Sequence, residues 1–458
     1  MLVDNLYDDA AYIRTIMIHS KLHKKIDQVS VRLFCRSYIF NIRKNDYSVV
    51  ISANNIIVGD KYYLYDPKTI TKFNIDLKPY YIENVCIYGH TNLLEWCKNS
   101  KLPFEYTESA IDSASQYGRI NVLEWWFNSG LPLKYSIKAL DSASQYGQIN
   151  VLDWWFNSGL PLKYSLAISM ASLEGHINVL EWWIKSKLSL DNINIDDALD
   201  FASKNGHVDV LEWLLNNIPQ VTSTFTYSNN ALNDASRNGH INVLEWWKNS
   251  GLELKYNENA LTWASHYGHF DVLEWWKNSG LELKYNEYTL FYISFYECIN
   301  ALEWWKNSGL ELKYDTNAVD EASAYGHINV LEWWKNSGLE LKYRSHTLDM
   351  ASNNNKIDTL EWWKNSGLPL KYSAYALYSA SEEGYVDVLE WWKNSGLELK
   401  YDKKAVLETA SIHDRINVLE WWKNSGLPLE YDKSLLEISI INGRTKVAEW
   451  WENSGLLL

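Results

Sequence analysis

Histidine, cysteine and carboxylate side chains are where this chain could do chemistry. His19 and His23 stand four residues apart, a spacing that puts both on one face of a helix, and Cys35 follows downstream. As zinc ligands they would belong to a tetrahedral N/S set. Two histidines at this spacing arise readily by chance and no HExxH is present, so the expectation is a solvated face and no metal. Six Gly-His pairs occur, at Gly89-His90, Gly175-His176, Gly206-His207, Gly239-His240, Gly268-His269 and Gly326-His327. Catalytic residues have no reason to recur at a fixed interval, whereas turn and cap hydrogen bonds do. Cys35, Cys86, Cys97 and Cys298 show no CxxC pairing and no regular spacing, which suggests neither a disulfide framework nor a thiolate metal site and fits a reducing compartment. No nucleophile elbow, phosphate loop, kinase set or pair of catalytic carboxylates appears. The reading is a protein that is not an enzyme and uses no cofactor.

The element that positions these residues is a repeat. The stretch Val272 to Gly280, VLEWWKNSG, returns thirteen times in similar form, marked by Leu94, Leu123, Leu152, Leu180, Leu211, Leu244, Leu273, Leu302, Leu331, Leu360, Leu389, Leu419 and Ala448. The steps run from 28 to 33 residues and most are 29. A fixed period of this size specifies a solenoid of about thirteen stacked units. Val272, Leu273, Trp275 and Trp276 share one apolar stripe of a short helix, with Asp271, Glu274 and Lys277 on the other side. Gly280 suits a left-handed cap. The stripe predicts that both tryptophans are core residues, each indole N–H needing an acceptor, and that Glu274 pairs with Lys277. All but Trp263 of the 25 tryptophans lie in this helix.

The full unit, Asn257 to Tyr285, reads as helix, turn at Gly268, helix and extended connection. Ala260, Leu261 and Ala264 face the core, and Leu281 and Leu283 turn inward. Asn257 and its equivalents Ser136, Asp315, Ser373 and Asp402 suit N-caps. One irregular segment near 216–230, NNIPQVTSTFTYSNN, separates repeats one to five from six to thirteen as a longer loop; a hinge or a site is the other reading.

Residues 1–80 do not match the repeat. They read as a small α+β cap or module, with a helix over Asp8 to Gln28 and strand-like runs VRLFCRSYIFNI, YSVVIS and KYYLYD. The repeat array occupies 81–458. A formal net charge of −14 argues against nucleic acid as a partner. The N-terminus lacks the basic residues and apolar core of a signal peptide, and no run of 18 apolar residues occurs, so a monomeric, intracellular protein that does not enter membranes is expected.

The order ALxxAS, two variable residues, GH, two residues, VLEWW, three residues, GL resembles the ankyrin repeat, whose pattern is TPLHxAAxxGHxxVVxxLLxxGA. The likeness runs over about residues 81–458. It departs in length, 29 rather than 33 residues, and in carrying WW where the second helix has LL. Several copies lose part of the signature, at Gly118-Arg119, Gly147-Gln148, Glu297-Cys298, Asn355-Lys356 and Asp414-Arg415. The shortened, WW-bearing form is similar to ankyrin-like proteins of giant DNA viruses and some fungi, which would place it in the host cytoplasm if viral.

The resemblance implies an all-α solenoid that binds a protein partner along its concave face, as an interaction scaffold. An adaptor whose residues 1–80 engage a second machine, such as a ubiquitin ligase, is the alternative, and an N-terminal metal or enzyme module is a remote one. Positions equivalent to His266 and Tyr267 vary between repeats and face the groove in that family. Repeats seven to nine place Trp263, His266, Tyr267, Tyr292, Phe295, Tyr296 and Tyr325 there, an aromatic set of the kind that anchors interfaces. The other candidate line is Gln116, Gln145, Leu173, Lys204 and Arg237, in the first block of repeats.

Overall fold

Each return of the repeat folds as two short helices joined by a tight turn in the computed structural model, which describes residues 12–18, 32–35, 38–40, 56–73, 75–100, 102–188, 196–218 and 227–456. We call them the A and B helices. Thirteen such pairs follow one another among the described residues, from Pro79–Ile87 and Thr91–Asn99 to Lys433–Ile441 and Thr445–Asn453. The chain divides into two compact units, Met1–Tyr227 and Ser228–Leu458, and the division falls within the irregular segment. Each unit carries an all-α solenoid in which A helices stack on A helices and B helices on B helices.

Repeat seven shows why these residues make this unit. The A helix, Asn259–Tyr267, buries Ala260, Leu261, Ala264 and Ser265. The small alanines let neighbouring A helices pack closely, so that their backbones and not long side chains define the layer. Gly268 then takes φ 76°, and its N–H and that of His269 donate back to the carbonyls of Ser265 and Ala264. That left-handed residue closes the helix and starts the next. Where glycine is missing, Glu297, Asn355 and Asp414 adopt the same conformation at φ 58°, 55° and 61°. The stack therefore imposes the turn even on side chains that disfavour it.

The B helix, Phe270–Asn278, buries Val272, Leu273 and Trp276. Gly280 follows at φ 78°, as the sequence implied, and Ser279 clasps the helix end: its hydroxyl donates to Trp276 O (2.7 Å) and accepts from Leu281 N (3.1 Å). The residues expected as N-caps stand one or two positions before the caps, which are Glu258, Ile137, Thr316, Ala374 and Lys404, but Asn257, Ser136, Asp315, Ser373 and Asp402 each accept a backbone N–H two residues on. Leu281 and Leu283 are half-buried rather than enclosed.

The two tryptophans differ, contrary to the expectation that both are core. The second, Trp276 and its counterparts, is fully buried in eleven repeats, with Cys97 and Leu214 in its place in repeats one and five. Within each unit its indole N–H donates to the A helix of the preceding repeat, to a serine hydroxyl for Trp276 (Ser236, 2.9 Å) and Trp305 (Ser265, 2.8 Å), and to Cys86 Sγ at 3.4 Å for Trp126. The first, Trp275, is half-buried and donates to the B-helix glutamate one repeat back, Glu245 at 2.8 Å, just as Trp304 donates to Glu274 at 3.0 Å. Glu274 is thus held by the next repeat's tryptophan and not by Lys277. The indole and Asn249 hydrogen bonds hold the Glu245 carboxyl below its usual range, and Glu303, Glu332, Glu361, Glu390 and Glu420 are held down in the same way.

The connections form a third ladder. Lys284 donates to Tyr256 O (3.2 Å) with its ammonium 4.5 Å from the Tyr256 ring centroid, while the Tyr285 hydroxyl donates forward to Glu311 O at 3.0 Å.

At the N-terminal end, β1 (Tyr12–Ile18), β2 (Arg32–Cys35), β3 (Tyr38–Phe40) and β4 (Ile56–Tyr63) make an antiparallel sheet of order β3-β2-β1-β4. The helix expected over Asp8 to Gln28 gives way to β1 across Tyr12–Ile18. That stretch, YIRTIMI, is rich in β-branched residues that favour a pleated surface. The runs around β2, β3 and β4 are strands as anticipated, whereas YSVVIS, His19 and His23 lie outside the described residues. Tyr63 and Tyr65, at the end of β4, then pack against the first repeat: the Tyr63 hydroxyl lies 2.8 Å from His90 Nε2, and the Tyr81 hydroxyl donates to Leu64 O at 2.8 Å.

Candidate interaction face

The A helices put their variable residues on the side away from the B-helix layer. In the second unit these residues form a continuous aromatic surface. Trp263 and Tyr292 ring centroids lie 5.5 Å apart, His266 and Tyr296 4.1 Å, Phe295 and Tyr296 4.8 Å, and Phe295 and Tyr325 4.8 Å. His266 also meets Tyr267 at 4.5 Å. All seven aromatic residues singled out by sequence therefore belong to one cluster across repeats seven, eight and nine. Phe291 joins it through Phe295 at 5.9 Å, a member that the repeat spacing alone did not reveal.

Stacking follows a rule. The residue at the position of His266 meets the ring at the C-terminal end of the next repeat's A helix: His266 with Tyr296, Phe295 edge-on with Tyr325, and Arg237 over Tyr267. Arg237 belongs to the second unit, on helix Asn230–Arg237, and not with the first block as grouped from sequence. Its guanidinium lies 5.0 Å from the Tyr267 ring centroid and 5.5 Å from that of Trp263, and donates to the Tyr267 hydroxyl at 2.7 Å. Burial, helped by the Arg237 charge, holds His266 below its usual range, so its imidazole is neutral at neutral pH.

These rings are not core. Tyr267, Tyr296 and Tyr325 are 46%, 47% and 47% exposed, while Trp263, His266, Tyr292 and Phe295 are half-buried beneath them. In the first unit Gln116, Gln145 and Leu173 are half-buried and Lys204 is exposed. They do not form a comparable cluster; Gln145 donates to Glu174 at 3.3 Å. The same helix ends carry Tyr88, Tyr117 and Tyr146, all exposed, with Tyr117 and Tyr146 rings stacked 6.4 Å apart. Their signal was present in the 29-residue period, as the residue that recurs at the Tyr267 position.

The Gly-His histidines do structural work. His207 Nε2 lies 3.1 Å from Leu173 O in the preceding repeat. Where another residue replaces histidine the contact persists: Arg119 Nε donates to Ile87 O at 2.7 Å, Arg415 Nε to Glu382 O at 2.8 Å, and the Cys298 thiol to His266 O at 3.4 Å. The position exists to satisfy the exposed carbonyls at an A-helix end. Burial raises the Cys298 thiol above its usual range, which makes it a poor nucleophile despite lying 3.7 Å from His266 Nδ1. Among the described residues no cluster of His, Cys, Asp and Glu could hold a metal ion, and no helix is long and apolar enough to cross a membrane.

A family model described as ankyrin repeats (many copies) matches residues 167–215, which are the helix pairs of repeats four and five. Among solved structures, the human ASB11 ankyrin repeat domain is similar at 16% identity and a TM-score of 0.32, over 40% of this chain and 90% of that one. No curated protein matches the chain in sequence.

Proposed function

We infer that this ankyrin-repeat protein is an interaction scaffold that captures a protein partner on the A-helix face of its second unit. The observation that carries the reading is the exposed aromatic surface of Tyr267, Tyr296 and Tyr325 over Trp263, His266, Tyr292 and Phe295, with Arg237 stacked at one end. The repeats themselves supply the comparison. The same helix ends hold Asn354, Glu383 and Asn442 elsewhere in the unit, so folding does not require tyrosine there. Aromatic rings with exposed faces and one arginine are the residue types that dominate binding at protein interfaces.

The reading assigns no catalysis, cofactor or nucleic acid to the chain, and places a monomer inside the cell, where Cys86, Cys97 and Cys298 stay free thiols. Residues 1–80 act as a cap on the array. The test compares the full chain with its Tyr267→Ser, Tyr296→Ser, Tyr325→Ser variant by affinity capture from extract with quantitative mass spectrometry. The variant should keep its helical circular dichroism and melting, and lose its specific partner by at least about a hundredfold, since anchoring aromatics dominate such interfaces. Capture that survives in the variant but fails when residues 1–80 are removed would favour the adaptor reading instead.

A further inference from the structure

The near-identity of the repeats makes departures from them informative, and one departure runs through four consecutive repeats. The residue after the buried-tryptophan position, which is Cys97 in repeat one and Leu214 in repeat five, is lysine in eight repeats: Lys98, Lys248, Lys277, Lys306, Lys335, Lys364, Lys393 and Lys423. In repeats two to five it is Phe127, Phe156, Ile184 and Leu215. All four lie on B helices of the first unit, Ile120–Asn128, Ile149–Asn157, Ile177–Ser186 and Val208–Asn217. Phe127 and Phe156 are 45% exposed and Ile184 37%; Leu215 is half-buried.

Each phenylalanine ring meets the half-buried tryptophan of the next repeat edge-on, Phe127 to Trp154 and Phe156 to Trp182, both at 6.0 Å. The result is a continuous apolar stripe across stacked B helices, where every lysine-bearing repeat shows that a charged residue folds equally well.

Charge and spacing define what covers it. The exposed carboxylates Glu124, Asp153, Glu181 and Glu212 line the stripe, and Lys185, paired with Glu181 at 2.9 Å, is the one basic residue on these four helices. An acidic border repels an anionic membrane or a second copy of the same face, and favours a partner with basic flanks. Stacked helices repeat about every 10 Å, which equals about seven residues of α-helix at 1.5 Å each. A helix laid along the stripe thus meets each repeat with the same face. An extended strand advances about three residues over that distance and, with its period of two, turns alternate side chains away.

We propose that the B-helix face of repeats two to five is a docking site for an amphipathic partner helix whose apolar seam is flanked by lysine or arginine.

The full chain is titrated with a helical peptide of about 20 residues, long enough to span four repeats, with leucine along one face and lysine on both flanks. A glutamate-flanked version, a proline-rich peptide and phosphatidylcholine vesicles are titrated in parallel. The variant F127K/F156K/I184K restores the residue that most other repeats carry, so it keeps the fold, which circular dichroism confirms. The lysine-flanked helix should bind the wild type and lose at least about a hundredfold in affinity for the variant, as when several central anchors are removed, while the glutamate-flanked helix binds at least about tenfold more weakly. The inference is overturned if the lysine-flanked peptide fails to bind, or binds both chains equally. It is also overturned if the glutamate-flanked or proline-rich peptide binds as well, if the vesicles bind in preference, or if the wild type sediments as a dimer that the variant dissolves.

Discussion

Ser236→Ala is a small perturbation with a specific expected cost. The Ser236 hydroxyl donates to Leu232 O at 2.7 Å in its own helix and accepts the indole N–H of Trp276, forty residues later, at 2.9 Å. Both residues are fully buried, so no water can replace the serine when it is removed. Leu232 O keeps its place in the helix ladder, but the indole N–H loses its acceptor, and an unsatisfied buried donor costs about 1 to 3 kcal/mol. Trp276→Phe removes the donor instead and leaves Ser236 bonded to Leu232 O; its cost is one of volume. In the double variant the orphaned N–H no longer exists, so the two effects should combine to less than their sum, by about 1 kcal/mol. Because the array need not unfold in one step, the local readout is amide hydrogen exchange of peptides from repeats six and seven. Exchange in Ser236→Ala should accelerate roughly 5- to 150-fold, the equivalent of that cost at tenfold per 1.4 kcal/mol. Exchange within about twofold of wild type, together with additive variants, would refute the view that this bond joins one repeat to the next.

Trp276→Ala should destabilise the second unit by about 3 to 5 kcal/mol through the cavity it leaves, whereas Lys277→Ala, on an exposed site, should stay within about 0.5 kcal/mol in denaturant melts. Asp414→Gly should stabilise repeat twelve by about 1 kcal/mol, seen as slower local exchange, because glycine adopts the left-handed turn without strain. Acid should weaken the second unit selectively. Glu245, Glu303, Glu332, Glu361, Glu390 and Glu420 have carboxyls held below the ordinary glutamate value of 4.5, so their contribution is complete above that pH and is lost as the pH falls below it. In the first unit Glu95 behaves likewise, but burial raises Asp112 and Asp141 above 3.8. Their contribution is complete at low pH and lost as pH rises through the folded value, which offsets the change. Exchange resolved by unit at about pH 6 and about pH 4 checks this; equal loss in both units contradicts it.

The amino-acid sequence by itself determined the repeat, its two helices, the left-handed turns at Gly268 and Gly280 and the buried Ala, Val and Leu positions, because each follows from periodicity or from a local backbone preference. It also picked out the aromatic residues at repeats seven to nine, since departures from a repeat are visible without a structure. Only the tertiary structure separated Trp275 from Trp276, which share one stripe but differ by about 100° around the helix. It also decided that Glu274 binds Trp304 rather than Lys277, that Arg237 completes the second unit's aromatic cluster, and that Tyr12–Ile18 pair as a strand. The physical reason is common to these. Each depends on which atoms a neighbouring repeat or strand brings alongside, 30 to 51 residues away in sequence, and stacking geometry sets that registration where local spacing does not.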